Sequence, residues 1–153
     1  MLLASPGKYL TFLLDQEEYS LRIQQVKQIV GMMEITRVPD MPAYIKGIVN
    51  LRGKIIPIAD LRLRFAMSEK AYTDRTCIIV LEKANESRSL FGVLVDAVSD
   101  VAQIAEGQID PPPPIRGAGQ SSPVIGVGKI KGKVLLLLDA DQLLDTAGLV
   151  GTN

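Results

Sequence analysis

Residues 47–60 and 126–139 align with each other without a gap, and this internal repeat limits the folds open to the chain more than any other feature. Gly47-Ile48-Val49-Asn50-Leu51-Arg52-Gly53-Lys54-Ile55-Ile56-Pro57-Ile58-Ala59-Asp60 stands against Gly126-Val127-Gly128-Lys129-Ile130-Lys131-Gly132-Lys133-Val134-Leu135-Leu136-Leu137-Leu138-Asp139, 79 residues later. Gly47, Gly53, Lys54 and Asp60 recur identically as Gly126, Gly132, Lys133 and Asp139, and most other positions exchange Ile, Leu and Val, or Arg and Lys. Upstream, Tyr19, Leu21, Ile23, Val26 and Ile29 have the spacing of Phe91, Val93, Val95, Val98 and Val101, 72 residues later. The seven-residue change of offset falls where the second connection carries Asp110-Pro111-Pro112-Pro113-Pro114 and Gly117-Ala118-Gly119-Gln120-Ser121-Ser122-Pro123, an evident loop. Two matched pairs in the same order predict two related halves, not a chance likeness between aliphatic hairpins.

The local signals are those of strands. Lys8–Leu14 and Tyr19–Ile23 flank the polar turn Asp15-Gln16-Glu17-Glu18, and Ile55–Ile58, Cys77–Leu81, Phe91–Val95 and Val134–Leu138 are short β-branched or aliphatic runs. Asp60 and Asp139 stand where an N-cap would start a turn or two of helix. Each half ends in a Gly-turned hairpin, with Gly53 and Gly132 supplying the positive φ that such turns require. Short strands joined in this way predict an all-β protein of two small closed barrels with one or two short helices. The expected division is a tail at 1–7, a first half at 8–72, a second half at 73–145 with some exchange of strands allowed, and a tail at 146–153. Halves of about 70 residues have marginal cores alone, so they are expected to pack together.

Composition narrows the function. Seventeen Lys and Arg balance 17 Asp and Glu, and aromatic residues are sparse with no Trp. A nucleic-acid groove normally carries a basic excess and stacking rings, so nucleic-acid binding is disfavoured. The absence of His removes the Ser-His-Asp and Cys-His nucleophile systems and the common imidazole zinc sites, so no metal, cofactor or catalytic residue is expected. One cysteine, Cys77, permits no internal disulfide and suits a reducing compartment, and its apolar run makes it a core residue. With no signal peptide and no span longer than Val134–Leu138, the expected location is cytoplasmic without membrane insertion.

Several motifs have plainer readings. Gly126-Val127-Gly128 with Gly132-Lys133 lacks the spacing of a phosphate loop, and Val134 stands where one needs Ser or Thr. Asp139, Asp141 and Asp145 lack the register of a calcium loop, and Asp139 or Asp141 serves better as a helix cap. Pro111–Pro114 reads as a stiff spacer, and Asn85-Glu86-Ser87 matters as a sequon only in a secreted chain. Arg52 is left over, since the turn explains Gly53 and not its neighbour; solvated charge and partner contact both remain open.

Glu17-Glu18-Tyr19, Val26-Lys27-Gln28-Ile29, Ile35-Thr36-Arg37-Val38-Pro39, the run Pro42–Arg62 and Gly92-Val93-Leu94-Val95-Asp96-Ala97-Val98-Ser99-Asp100-Val101 together resemble the CheW family of chemotaxis coupling proteins over residues 8–145. The resemblance implies two five-stranded barrels related to SH3 and OB folds, and a non-enzymatic adaptor. Its implied partners are the cytoplasmic tip of methyl-accepting chemotaxis receptors and the regulatory domain of a CheA-type histidine kinase. Carried over by position, Asn50, Arg52 and Gly53 fall in the family's receptor-contacting loop, with Val26 and Ile55 at apolar positions beside the groove that takes the receptor. Gln28 stands where many members have a Glu able to pair with the arginine matching Arg52, so that ion pair is lost here. The kinase contact is expected on the first half.

Overall fold

The computed structural model describes residues 4–83, 89–112 and 123–144. The Asn85-Glu86-Ser87 sequon, Pro113 and Pro114, the Gly117–Ser122 part of the loop, Asp145, the first three residues and the C-terminal tail lie outside the described residues.

Eleven strands carry the described chain: β1 (Gly7–Leu14), β2 (Glu17–Arg22), β3 (Val26–Gly31), β4 (Ile45–Leu51), β5 (Lys54–Asp60), β6 (Cys77–Glu82), β7 (Leu90–Val95), β8 (Ala97–Ile104), β9 (Ile109–Asp110), β10 (Val124–Ile130) and β11 (Lys133–Leu138). Single-turn helices α1 (Leu61–Arg64) and α2 (Ala140–Leu143) follow β5 and β11. Asp60 starts α1 by accepting a 2.9 Å hydrogen bond from the Arg62 N–H, and Asp139 starts α2 by accepting one of 3.2 Å from the Asp141 N–H.

The strands form a six-stranded sheet in the order β8-β1-β2-β11-β10-β9 and a five-stranded sheet in the order β3-β6-β7-β5-β4. Strands are exchanged between the halves. β1 and β2 of the first half join the second half's β8 to β11, while β6 and β7 of the second half join β3, β4 and β5. The halves are joined by the antiparallel pairs β1–β8 and β3–β6 and by two parallel pairs, Leu137 opposite Ser20 in one sheet and Ile58 opposite Gly92 in the other. The two parallel pairs correspond under the 79- and 72-residue offsets. So do the hairpins, down to the register shifts between Ile45 and Gly47 and between Val124 and Gly126.

Burial on both sides explains the near-continuous apolar runs. Alternate residues along a strand face opposite ways, so a strand covered on both faces needs apolar residues at every position. In β6, Ile78 and Val80 enter one cluster with Val49, Ile56, Ile58 and Leu94, whereas Ile79 and Leu81 face the other sheet. In β11, Leu135 and Leu137 pack with Tyr9 and Ile104, whereas Leu138 faces across. Val30 on β3 and Leu51 on β4, from opposite edges of one sheet, meet on the same cluster. Ile104 on β8 and Ile109 on β9 do so in the other sheet. Each sheet therefore curls round its own core as a small barrel. A third cluster between them joins Leu10, Phe12, Leu14, Tyr19 and Leu21 to Ile79, Leu81, Phe91, Val93 and Val95. Tyr19 stacks there between Phe12 and Phe65, at ring-centroid distances of 6.0 and 5.6 Å.

Asp139 brings a pH dependence into this packing. It is buried, Oδ1 caps α2, and Oδ2 has no hydrogen-bond partner among the described residues. Burial pushes its carboxyl above the usual 3.8, and repulsion from Asp141 adds to this against the Asp141 N–H and Lys83. A folded-state value above the unfolded one means that the folded state disfavours the ionised form, so stability falls as pH rises from 3.8 through the folded value. Asp139→Asn keeps a capping oxygen and removes the titration. Urea unfolding should show a weaker loss of stability as pH rises above 3.8 than in the parent; an unchanged slope would contradict this.

Candidate functional site

The turn between β4 and β5 is built by its own residues. Asn50 Oδ1 accepts a 2.8 Å hydrogen bond from the Gly53 N–H, and Arg52 and Gly53 take φ values of +54° and +88°. Two positive φ values in a two-residue loop match the right-handed twist of the flanking strands. Gly53 adopts this at no steric cost, whereas an L-residue such as Arg52 pays about 1 kcal/mol. The turn is thus more demanding at Arg52 than the sequence suggested, since a turn made for stability alone would favour Asn or Gly there. Leu51 anchors the hairpin by packing on the five-stranded sheet's own core.

Asn50 and Gly53 shape the turn, and Arg52 and Ile55 are what it displays. Among the described residues Arg52 makes no ion pair or side-chain hydrogen bond, and Ile55 is 60% exposed. An unpaired guanidinium beside an apolar side chain suits a protein contact, because guanidinium binds carboxylates and carbonyls while the aliphatic group gains from being covered.

Val26 and Gln28 lie on β3, at the opposite edge of the same sheet from β4. A register shift between them turns the two side chains to different faces: Val26 lies opposite Leu81 of the inter-sheet cluster, and Gln28 opposite Val80 of the barrel's own core. Val26 packs at the margin of the inter-sheet cluster. Among the described residues no hydrogen bond or ion pair joins Gln28 to Arg52. The structure brings Asn50, Arg52, Gly53 and Ile55 together on one hairpin, and places Val26 where the two sheets meet.

Sequence reasoning missed a polar lock at the opposite end of β5 from the hairpin turn. Arg62 of α1 is almost fully buried and donates to Asp15 Oδ1 at 2.8 Å, Asp96 Oδ2 at 2.7 Å and the Ser68 carbonyl at 3.0 Å. Asp96 Oδ2 also accepts from the Asp15 N–H at 2.7 Å. The lock ties the β1–β2 turn, the β7–β8 corner and α1 together, and only the spread of opposite charges over distant positions hinted at it. Burial raises the Cys77 thiol above its usual range, which favours the protonated form. Among the described residues no group of three or more His, Cys, Asp or Glu is placed to hold a metal ion, and no helix is long and apolar enough to cross a membrane.

The family model of the CheW-like domain matches residues 8–148, nearly the whole chain and both hairpins. The chain belongs to the CheW family. Within it, the chemotaxis protein CheW of Klebsiella aerogenes is 37% identical over 139 residues, covering 91% of this chain and 82% of that protein. The CheW of Bacillus subtilis is 32% identical over 138 residues, covering 90% and 86%. Among solved structures, the scaffolding protein TtCheW from Thermoanaerobacter tengcongensis superposes with a TM-score of 0.82 at 36% identity, covering 92% of this chain and 93% of that one. The paired barrels described above are thus the CheW architecture, formed here without any His in the chain.

Proposed function

We propose that this CheW-family chain is a non-enzymatic adaptor that couples methyl-accepting chemotaxis receptors to a CheA-type histidine kinase in a two-component chemosensory pathway. It acts in the cytoplasm, recruited to membrane receptor arrays through its partners. The single observation that carries this reading is the β4–β5 hairpin, which spends backbone strain to hold Arg52, unpaired among the described residues, at the same turn as an exposed Ile55. The receptor's helical tip contacts Asn50, Arg52, Gly53 and Ile55, and reaches Val26 and Gln28 across the sheet. The kinase's regulatory domain binds the first half of the chain. Joining several partners in one assembly raises their effective concentrations, so individually modest contacts suffice.

Gln28 keeps hydrogen-bonding reach without charge. An exposed ion pair contributes about 0–1 kcal/mol, so Gln28→Glu is expected to alter receptor preference without altering folding.

Co-sedimentation of the purified chain with a receptor signalling domain and kinase tests the reading. Arg52→Ala should weaken receptor capture about tenfold or more, the range of an interface hot spot, and should reduce control of kinase autophosphorylation. Its thermal unfolding should match the parent, since Arg52 is exposed and, among the described residues, makes no ion pair or side-chain hydrogen bond. A normally folded Arg52→Ala protein that couples as well as the parent would remove Arg52 from the site.

A further inference from the structure

The duplication repeats an exposure as well as a fold. Of the seven large apolar side chains exposed among the described residues, four are two pairs related by the repeat. Ile55 and Val134 are each 60% exposed, and Ile29 and Val101 are 43% and 48% exposed. A lone exposed aliphatic residue needs no explanation. The same exposure at equivalent positions of both halves gives the β10–β11 hairpin a surface of the same form as the β4–β5 hairpin.

The second hairpin differs in its charge. Lys129, Lys131 and Lys133 alternate around its turn, and Lys131 holds φ at +51°, where glycine or asparagine would sit at less cost. Among the described residues Lys131 has no carboxylate partner. Lys129 holds Asp110 at 2.9 Å and Lys133 holds Glu18 at 3.4 Å, with the two lysine side chains 55% and 71% exposed. The Lys129–Asp110 pair is exposed on both sides and contributes about 0–1 kcal/mol, so an outside carboxylate can replace Asp110 at little cost. Lys133 is the exposed member of a long 3.4 Å contact to a partly buried Glu18.

We infer that the β10–β11 hairpin is a second docking edge, which takes an acidic segment of a partner protein. The segment sets an apolar side chain against Val134 and carboxylates against Lys131, with Lys129 free to exchange its own partner for one of them. This stands whatever binds the Arg52 hairpin, and it makes the chain bivalent.

The test uses a synthetic helical peptide with Leu on one face and Glu on the other, titrated into the isotope-labelled full chain while amide chemical shifts are followed. The expected shifts fall at residues 129–135 and weaken as salt is raised. The double variant Lys131→Glu, Val134→Ser should bind about tenfold more weakly with unchanged thermal unfolding, both side chains being exposed. Arg52→Ala should bind the peptide as the parent does, which separates this outcome from that of the adaptor reading. A peptide with Lys in place of Glu should not bind. The inference is overturned by shifts confined to residues 50–56, by equal binding of the Lys peptide, by no shifts, or by hairpin shifts that arise without peptide as the chain is concentrated.

Discussion

Replacing Gly47 with alanine is expected to cost about 4 kcal/mol of folding stability, among the largest losses available to one added methyl group. Gly47 sits at the register shift of the β4–β5 hairpin with φ at +147°, a region that L-residues rarely enter. A Cβ there would lie 2.1 Å from the Thr36 carbonyl oxygen and 2.8 Å from Ile35 Cγ2. Neither obstacle is the free end of a flexible side chain. Thr36 is fixed by its two hydrogen bonds of 2.9 Å with Ile48, which close the β3–β4 connection over the edge of the sheet. The repeat supplies an internal control. Gly126 occupies the equivalent position with no positive φ, and its added Cβ would meet Ala4 Cβ at 2.8 Å and the Asp110 carbonyl at 3.3 Å. Gly126→Ala should therefore cost about 1–2 kcal/mol. Urea denaturation followed by circular dichroism compares the two directly, and equal losses would show that the Thr36 contact does not govern the site.

Arg62→Met should lower stability by about 3 kcal/mol, through stranded charge and not through lost volume. Methionine fills much of the same space, but it leaves Asp15 and Asp96 close together without their cation and the Ser68 carbonyl without its donor. Asp15 is about half exposed, which keeps the loss below that of a fully buried cluster. Arg62→Lys should recover less than half of it. An ammonium group is a single point on a flexible stem, whereas the planar guanidinium reaches three acceptors in fixed directions. Differential scanning calorimetry of both variants decides the matter: a lysine variant as stable as the parent would reduce the lock to simple charge balance.

How much was legible in advance depended on how each signal is stored in the chain. The runs in β1, β2, β5, β6, β7 and β11 were readable because burial on both faces concentrates apolar residues in short stretches. β3 and β8 were not read as strands. Each carries a register shift, near Lys27 and near Ser99, that breaks the period-two pattern by which a half-exposed strand is found. The likeness of the halves was plain, and an exchange of strands was allowed for, but the strands exchanged could not be named. The exchange rests on the pairing of β1 with β8, β3 with β6, β5 with β7 and β11 with β2, between residues far apart in the chain, and no local pattern records such partners. At the hairpin, Arg52 and Gly53 stood out from the motif, whereas the positive φ of Arg52 and the Asn50 cap emerged only from the fold. The Arg62 lock was invisible for the same reason as the exchanged pairings: its three charges lie at positions 15, 62 and 96.

The crossed ownership of the two sheets also governs what happens when the backbone is cut. The stretch between Phe65 and Thr76 links the halves, yet severing it would liberate neither piece. The upstream fragment would still have β1 and β2 laced into one sheet and β3 to β5 into the other, with the downstream fragment laced in reciprocally. A separated fragment would expose to water the Phe12, Tyr19 and Leu21 or the Phe91, Val93 and Val95 that now meet between the sheets. A nicked molecule should thus elute as one particle under native conditions and come apart only in denaturant, because every strand pairing and apolar contact that crosses between the fragments survives the cut.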